Sequence, residues 1–170
     1  MINYNGLTND EVLNNRKKYG SNEIKEIKPD EFPLALRKSL LRPKQLFYRG
    51  SLPPKDAIGV AMVGTRRPSR NAQELCRRLV ESLKGTNAVI VSGLAQGIDS
   101  YCHQAALDAG VKTIAVIAQG LDAPIPGERA EIARRIVSEG GAVVTEYPGD
   151  FPSYKGTFPA RNRIISGLSR

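Results

Sequence analysis

The side chains able to do chemistry gather in a few short stretches. "GTRRPS" (64–69) sets Arg66 and Arg67 beside Gly64 and Thr65. A guanidinium next to a glycine turn can grip a phosphate with two parallel hydrogen bonds, and the bare backbone can approach the same group. "SGLAQGID" (92–99) puts Ser92 and Gly93 ahead of Asp99, and "EYPGDFP" (146–152) opens on Glu146. The stretch "YKGTFPARNRIISGLSR" (154–170) carries Lys155, Arg161, Arg163 and Arg170 without an acid, and interleaves them with Phe158. Cations for a phosphate backbone and an aromatic face for a base hold single-stranded nucleic acid, with stacking worth roughly 1–3 kcal/mol per base. A solvated basic helix start, with Phe158 tucked into the core, is the competing reading.

Other chemistries fit less well. Asp99 and His103 are four residues apart and can share a helix face. A catalytic pair needs a nucleophile, and Ser92 and Ser100 form no nucleophile elbow. Asp99 reads better as a carboxylate favoured by a helix N-terminus. Glu146 suits a general base or, more simply, an arginine partner. Cys76 and Cys102 lack Cys-x₂-Cys spacing and there is a single histidine, so no metal site is assigned. Both cysteines fall in helical patterns and read as buried thiols. The turns are neither G-x-G-x-x-G nor G-x-x-x-x-G-K-[ST], which disfavours a standard dinucleotide fingerprint or P-loop. No catalytic residue and no cofactor is assigned.

These residues need elements to position them. "AIGVAMVG" (57–64), "AVIVSG" (88–93), "KTIAVIAQG" (112–120) and "AVVTEYP" (142–148) are short apolar, β-branched-rich runs. Between them, 70–85, 97–110 and 128–141 show helical spacing, with Leu75, Leu79 and Leu83 on one face of the first. Strands of this kind alternating with helices predict an α/β fold, a parallel sheet covered on both faces. Ligands then collect beyond the carboxyl ends of the strands, where the glycine-bearing turns lie. Residues 151–170 are expected as a loop leading into a helix over 162–169. Four strands make a narrow sheet, so a fifth and sixth are expected beyond Arg170. Upstream, 7–20 predicts a short helix with a Thr8–Glu11 capping box, 31–41 a second, and "KQLFYRGSLPP" (44–54) an extended segment and turn.

Composition bounds the rest. At 170 residues, with 41% hydrophobic side chains, the chain suits one core with a small appendage. No apolar run approaches the ~18 residues of a membrane span, and "MINYNGLTNDEVL" carries no basic and apolar signal pattern. A cytoplasmic protein with no membrane partner is expected. The net charge of +8 favours an anionic partner such as nucleic acid or nucleotide.

"VAMVGTRRPS", "VIVSGLAQGIDSYCHQAAL", "TIAVIAQGLDAPIP" and "FPARNRIISGLS" occur in this order and spacing, and so resemble the DNA-processing protein A family, also called Smf. The resemblance covers about 43–170 and implies a Rossmann-like, mostly parallel sheet. It further implies single-stranded DNA binding in natural transformation, competence and DNA recombination, loading of a RecA-type recombinase, a homodimer, and no catalytic reaction. Residue by residue, it implies DNA contacts at Gly64, Thr65, Arg66, Ser92, Gly93, Lys155, Phe158, Arg161, Asn162 and Arg163. Gln96 departs from the arginine common at its position, and Ala118–Gln119–Gly120 from a more glycine-rich turn. Residues 6–24 resemble the short N-terminal helical segment of cation-transporting P-type ATPases, without the membrane helices or phosphorylated aspartate of a pump; no function follows. The expected organisation is a small helical segment over 1–42 and a Rossmann-like DNA-binding domain over 43–170, incomplete at its C-terminal side. The alternative function is a nucleotide-binding sensor or nucleotide-cleaving protein, motivated by the glycine turns and Glu146.

Overall fold

The computed structural model describes residues 23–169. The predicted helix over 7–20 lies outside the described residues. The elements run β1 (Lys25–Ile27), a 3₁₀ turn (Pro29–Glu31), α1 (Leu34–Lys38), β2 (Leu46–Gly50), β3 (Ile58–Ala61) and α2 (Arg70–Glu81). They continue with β4 (Ala88–Ser92), α3 (Ile98–Ala109), β5 (Lys112–Val116), α4 (Glu128–Ser138), β6 (Ala142–Thr145) and α5 (Thr157–Gly167).

The four apolar runs form adjacent parallel strands, as their β-branched texture predicts. Val60 pairs with Ile90, Val91 with Ile114, and Val116 with Val144. The sheet is wider than four strands, with order β1-β2-β6-β5-β4-β3. Among the described residues the fifth and sixth strands, β2 and β1, come from upstream of the four apolar runs. β2 pairs antiparallel with β6 (Phe47 opposite Thr145), and β1 pairs antiparallel with β2 (Ile27 opposite Leu46). Thus residues 23–42, read from sequence as part of a helical segment, supply an edge strand.

Side chains alternate between the faces, as the two-residue strand period demands. Val89, Val91, Ile114, Val116, Ala142 and Val144 face one side, where Phe32 and Leu36 from around α1 meet Ile164 and Ile165 of α5. Ala115, Ile117 and Val143 face the other, against Ile132, Ala133 and Ile136 of α4. Ile90 lies there too, beneath Cys76 and Val80 of α2 and Cys102 and Ala106 of α3. Each buried Val or Ile contributes about 1.5–3 kcal/mol, so the layering itself is the main stabilising term. One predicted face is corrected: Leu75 and Leu79 are 57% and 50% exposed, and α2 turns Cys76 and Val80 inward instead. Both thiols are free, buried and in contact, with the two Sγ atoms 2.9 Å apart.

The last helix starts five residues earlier than its predicted 162, at Thr157. Pro159 sits in its first turn, where an amide proton would lack an intrahelical acceptor anyway. Thr157 Oγ1 donates to Tyr154 O (2.8 Å) and accepts from Tyr154 N–H (3.2 Å), which ties the start of α5 to the loop before it. No helix of the described residues is long and apolar enough to cross a membrane.

Candidate nucleic-acid interface

The turn after β3 is built by close backbone packing against the start of α3. Thr65 O accepts from Ile98 N–H (3.1 Å), and Thr65 Oγ1 accepts from Arg67 N–H (3.2 Å). Gly97, just before α3, has φ +92°, and a Cβ there would fall 2.2 Å from Thr65 O. Only glycine fits this conformation at this distance. The locked turn leaves Arg66 and Arg67 exposed.

Arg66 meets the other end of the sequence. Its guanidinium lies over the Phe158 ring, 5.8 Å from the centroid, a cation–π contact across more than ninety residues of chain. Phe158 is half-buried at the second position of α5, and Lys155, one turn before it, is exposed. Arg66, Lys155 and Phe158 therefore form one rim on the carboxyl side of the sheet.

Behind the rim lies a buried polar cluster. Arg161 is 4% exposed, and its Nη1 donates to Gly93 O (2.5 Å) and to Val116 O. Its Nε donates to Asn162 Oδ1 (3.1 Å). It thus closes the crevice between the ends of β4 and β5. Gly93 makes room for it: a Cβ at that position would fall 2.2 Å from Nη1. Burial pushes the Arg161 guanidinium below its ordinary range, opposed by the charge of Asp99. Burial raises Asp99, and this is resisted by Arg161 and by backbone N–H groups of Gly64, Ala95 and Gly93. The bond from Gly93 N–H to Asp99 Oδ2 is 3.1 Å. Asp99 therefore organises both the first and second strand-end turns.

His103 does not serve Asp99. Its Nδ1 lies 2.7 Å from Thr113 Oγ1, whose proton goes to Ile90 O (3.0 Å). His103 must then carry its hydrogen on Nδ1, and its buried Nε2 has no hydrogen-bond partner among the described residues. Burial, with a further push from Arg161, lowers this imidazole to about 3. Glu146 is held by Arg163 through two bonds of 3.0 and 2.6 Å, so neither group stands free. Ser92 is fully buried and donates to Met62 O (2.5 Å). Among the described residues no cluster of three or more His, Cys, Asp or Glu side chains is placed to hold a metal ion.

Comparison with known proteins places the chain in a family. The family model described as DNA recombination-mediator protein A matches residues 23–170. The chain belongs to that family. Among curated relatives of the DNA recombination-mediator protein A family, Protein Smf of Escherichia coli (strain K12) is 41% identical over 128 residues, covering 75% of this chain and 34% of that protein. DNA processing protein DprA of Streptococcus pneumoniae (strain ATCC BAA-255 / R6) is 42% identical over 142 residues, covering 83% and 49%. The chain thus spans between a third and a half of these relatives' length. The chain overlays the X-ray structure of DNA processing protein A (DprA) from Streptococcus pneumoniae with TM-score 0.76 at 34% identity, covering 95% of this chain and 56% of that one. It overlays DNA processing protein A from Helicobacter pylori, whose structure is described in terms of a single-stranded DNA binding mode, with TM-score 0.74 at 32% identity, covering 86% and 66%.

Within this family fold, the residues singled out by sequence divide in two. Gly64, Thr65, Arg66, Lys155 and Phe158 come together at the rim, and Asn162 is exposed on α5. Ser92, Gly93 and Arg161 are buried: Ser92 Oγ donates to Met62 O, and Arg161 Nη1 donates to Gly93 O and Val116 O. Arg163 is partly exposed but spends its fork on Glu146. Sequence reasoning overlooked Tyr147, Phe151 and Tyr154, which form a stack in the loop before α5. The signal was present, because four of the chain's ten Tyr and Phe residues lie within 147–158, a density the core does not require.

Proposed function

We propose that this chain binds single-stranded DNA without regard to sequence, as part of DNA processing and recombination in natural transformation. Arg66 and Lys155 take the phosphates and Phe158 stacks a base. The observation that carries this reading is the Arg66–Phe158 contact of 5.8 Å beside the exposed Lys155. It joins a phosphate-binding fork and an aromatic face into one surface, and neither contact type depends on base identity. Arg161 and Arg163 act behind this surface: one holds the strand-end carbonyls and the other holds α5 to Glu146. The single-stranded DNA binding described for the Helicobacter pylori relative supports the same ligand. Loading of a RecA-type recombinase, action as a homodimer in the cytoplasm, and the absence of a catalytic step complete the proposal, supported by the family's description as a recombination mediator.

Fluorescence anisotropy with labelled oligo-dT tests it. The expected result is binding that weakens steeply with salt, similar affinity for a mixed-sequence strand, and weaker binding to duplex. Phe158→Ala should cost about 1–3 kcal/mol of binding. Equal affinity for duplex, or an unchanged Phe158→Ala variant, would overturn the reading.

A further inference from the structure

The loop between β6 and α5 holds an aromatic ladder that the rim does not use. Tyr147 and Phe151 stack face to face, with centroids 4.6 Å apart and planes 7° from parallel. Phe151 in turn supports Tyr154 at 6.2 Å and 57°. The first two rings are partly buried, whereas Tyr154 is 58% exposed. An exposed tyrosine backed by a half-buried ring, itself stacked on another, is a presented surface, and tyrosine offers contact area at low entropic cost because it has only two side-chain torsions.

The loop is rigidly built. Phe151 O accepts from Gly120 N–H (2.8 Å), Gly149 O accepts from Asp122 N–H (2.9 Å), and Phe151 N–H donates to Pro148 O (3.2 Å). Asp122 itself is bound by Arg49 of β2 at 2.5 Å. At the other end, Tyr154 is fastened through N–H and C=O to the buried Thr157, the residue before Phe158. Tyr154 and Phe158 therefore flank Lys155 on one fixed turn. The acids of this loop are Glu146, neutralised by Arg163, and Asp150; from 151 onward every charged side chain is basic.

We infer that Tyr154 is a second stacking surface, which takes a nucleobase of the same strand next to the one on Phe158. Lys155 faces the phosphate between them. This rests on the single-strand reading above and extends it from one base to two. Aromatic platforms in series, tracked by cations, are the usual way a single strand is followed without reading its sequence.

The test compares wild type, Tyr154→Ala, Tyr154→Phe and Phe158→Ala on labelled dT₁₂ and on an abasic strand of equal length, with thermal melts to verify folding. Tyr154→Ala should bind dT₁₂ roughly 5- to 100-fold more weakly. It should match wild type on the abasic strand, and Tyr154→Phe should match wild type on both. If Tyr154→Ala stays within about twofold of wild type on dT₁₂ while Phe158→Ala weakens, the second surface is overturned and the first stands. If Tyr154→Ala weakens abasic binding equally, the loss is not stacking and the inference also fails. If wild type does not bind dT₁₂, or Phe158→Ala is unchanged, the underlying reading falls and takes this one with it.

Discussion

Arg66 and Arg161 stand at the same edge of the sheet and have opposite surroundings. Arg66 projects from a locked turn into solvent, with its flat face on Phe158. Arg161, three residues past Phe158, is buried on the carbonyls of Gly93 and Val116 with Asp99 and His103 nearby. Charge in a motif is therefore not the same as charge available to a partner. Arg161 has exchanged much of its water for the carbonyls of Gly93 and Val116 and the side chain of Asn162, which leaves it fewer donors to offer a phosphate than Arg66 has. The buried arginine shapes the rim by joining three elements, while the exposed one is free to meet a ligand.

The contrast can be broken in order of expected effect. Arg161→Met keeps much of the volume but strands two buried carbonyls and leaves Asp99 without its counter-charge. About 3 kcal/mol or more of folding stability should be lost, measured by urea denaturation. A variant as stable as wild type would place Arg161 with the rim instead. The second test uses pH. The folded chain holds His103 neutral down to about 3, whereas an unfolded histidine takes its proton near 6.5. Between these values the unfolded state binds more protons, so this contribution to stability falls as pH drops and recovers as it rises. Lowering the pH from 8 to 5 should cost about 2 kcal/mol through this group, and a folded His103→Gln variant should lack that component. The smallest structural effect is expected for Arg66→Ala. Its stability should stay within about 0.5 kcal/mol of wild type. Its single-strand affinity should fall, and the slope of log affinity against log salt should shrink by about 0.7. A large loss of stability in this variant would erase the distinction.

Much of this arrangement is legible in the residues. The β-branched runs near 88–93, 112–120 and 142–148 become buried parallel strands because such side chains pack on both faces of a pleated sheet. The glycine-bearing turns mark the strand ends for the same physical reason that they mark a ligand edge, namely close backbone approach. β1 and β2 were harder to see. "KEI" and "LFYRG" are short and mixed in polarity; β2 becomes a strand by pairing with β6, almost a hundred residues away, and β1 by pairing with β2. The inward face of α2 was misread because three leucines outweigh a cysteine and a valine in any apolar count. Only docking against α3 turns Cys76 and Val80 inward.

The cationic stretch at 155–163 shows where local information ends. Sequence alone determined that basic and aromatic side chains would alternate there, that Pro159 would be admissible only near a helix start, and that Ile164 and Ile165 would seek a core. Which basic group would be buried was decided by the tertiary structure, because the docking of α5 on the sheet sends Arg161 toward Gly93, while Lys155 on the turn before the helix stays in solvent. Burial is a property of what lies opposite a side chain. Here that is a glycine with no Cβ and two strand-end carbonyls, from segments more than forty residues away.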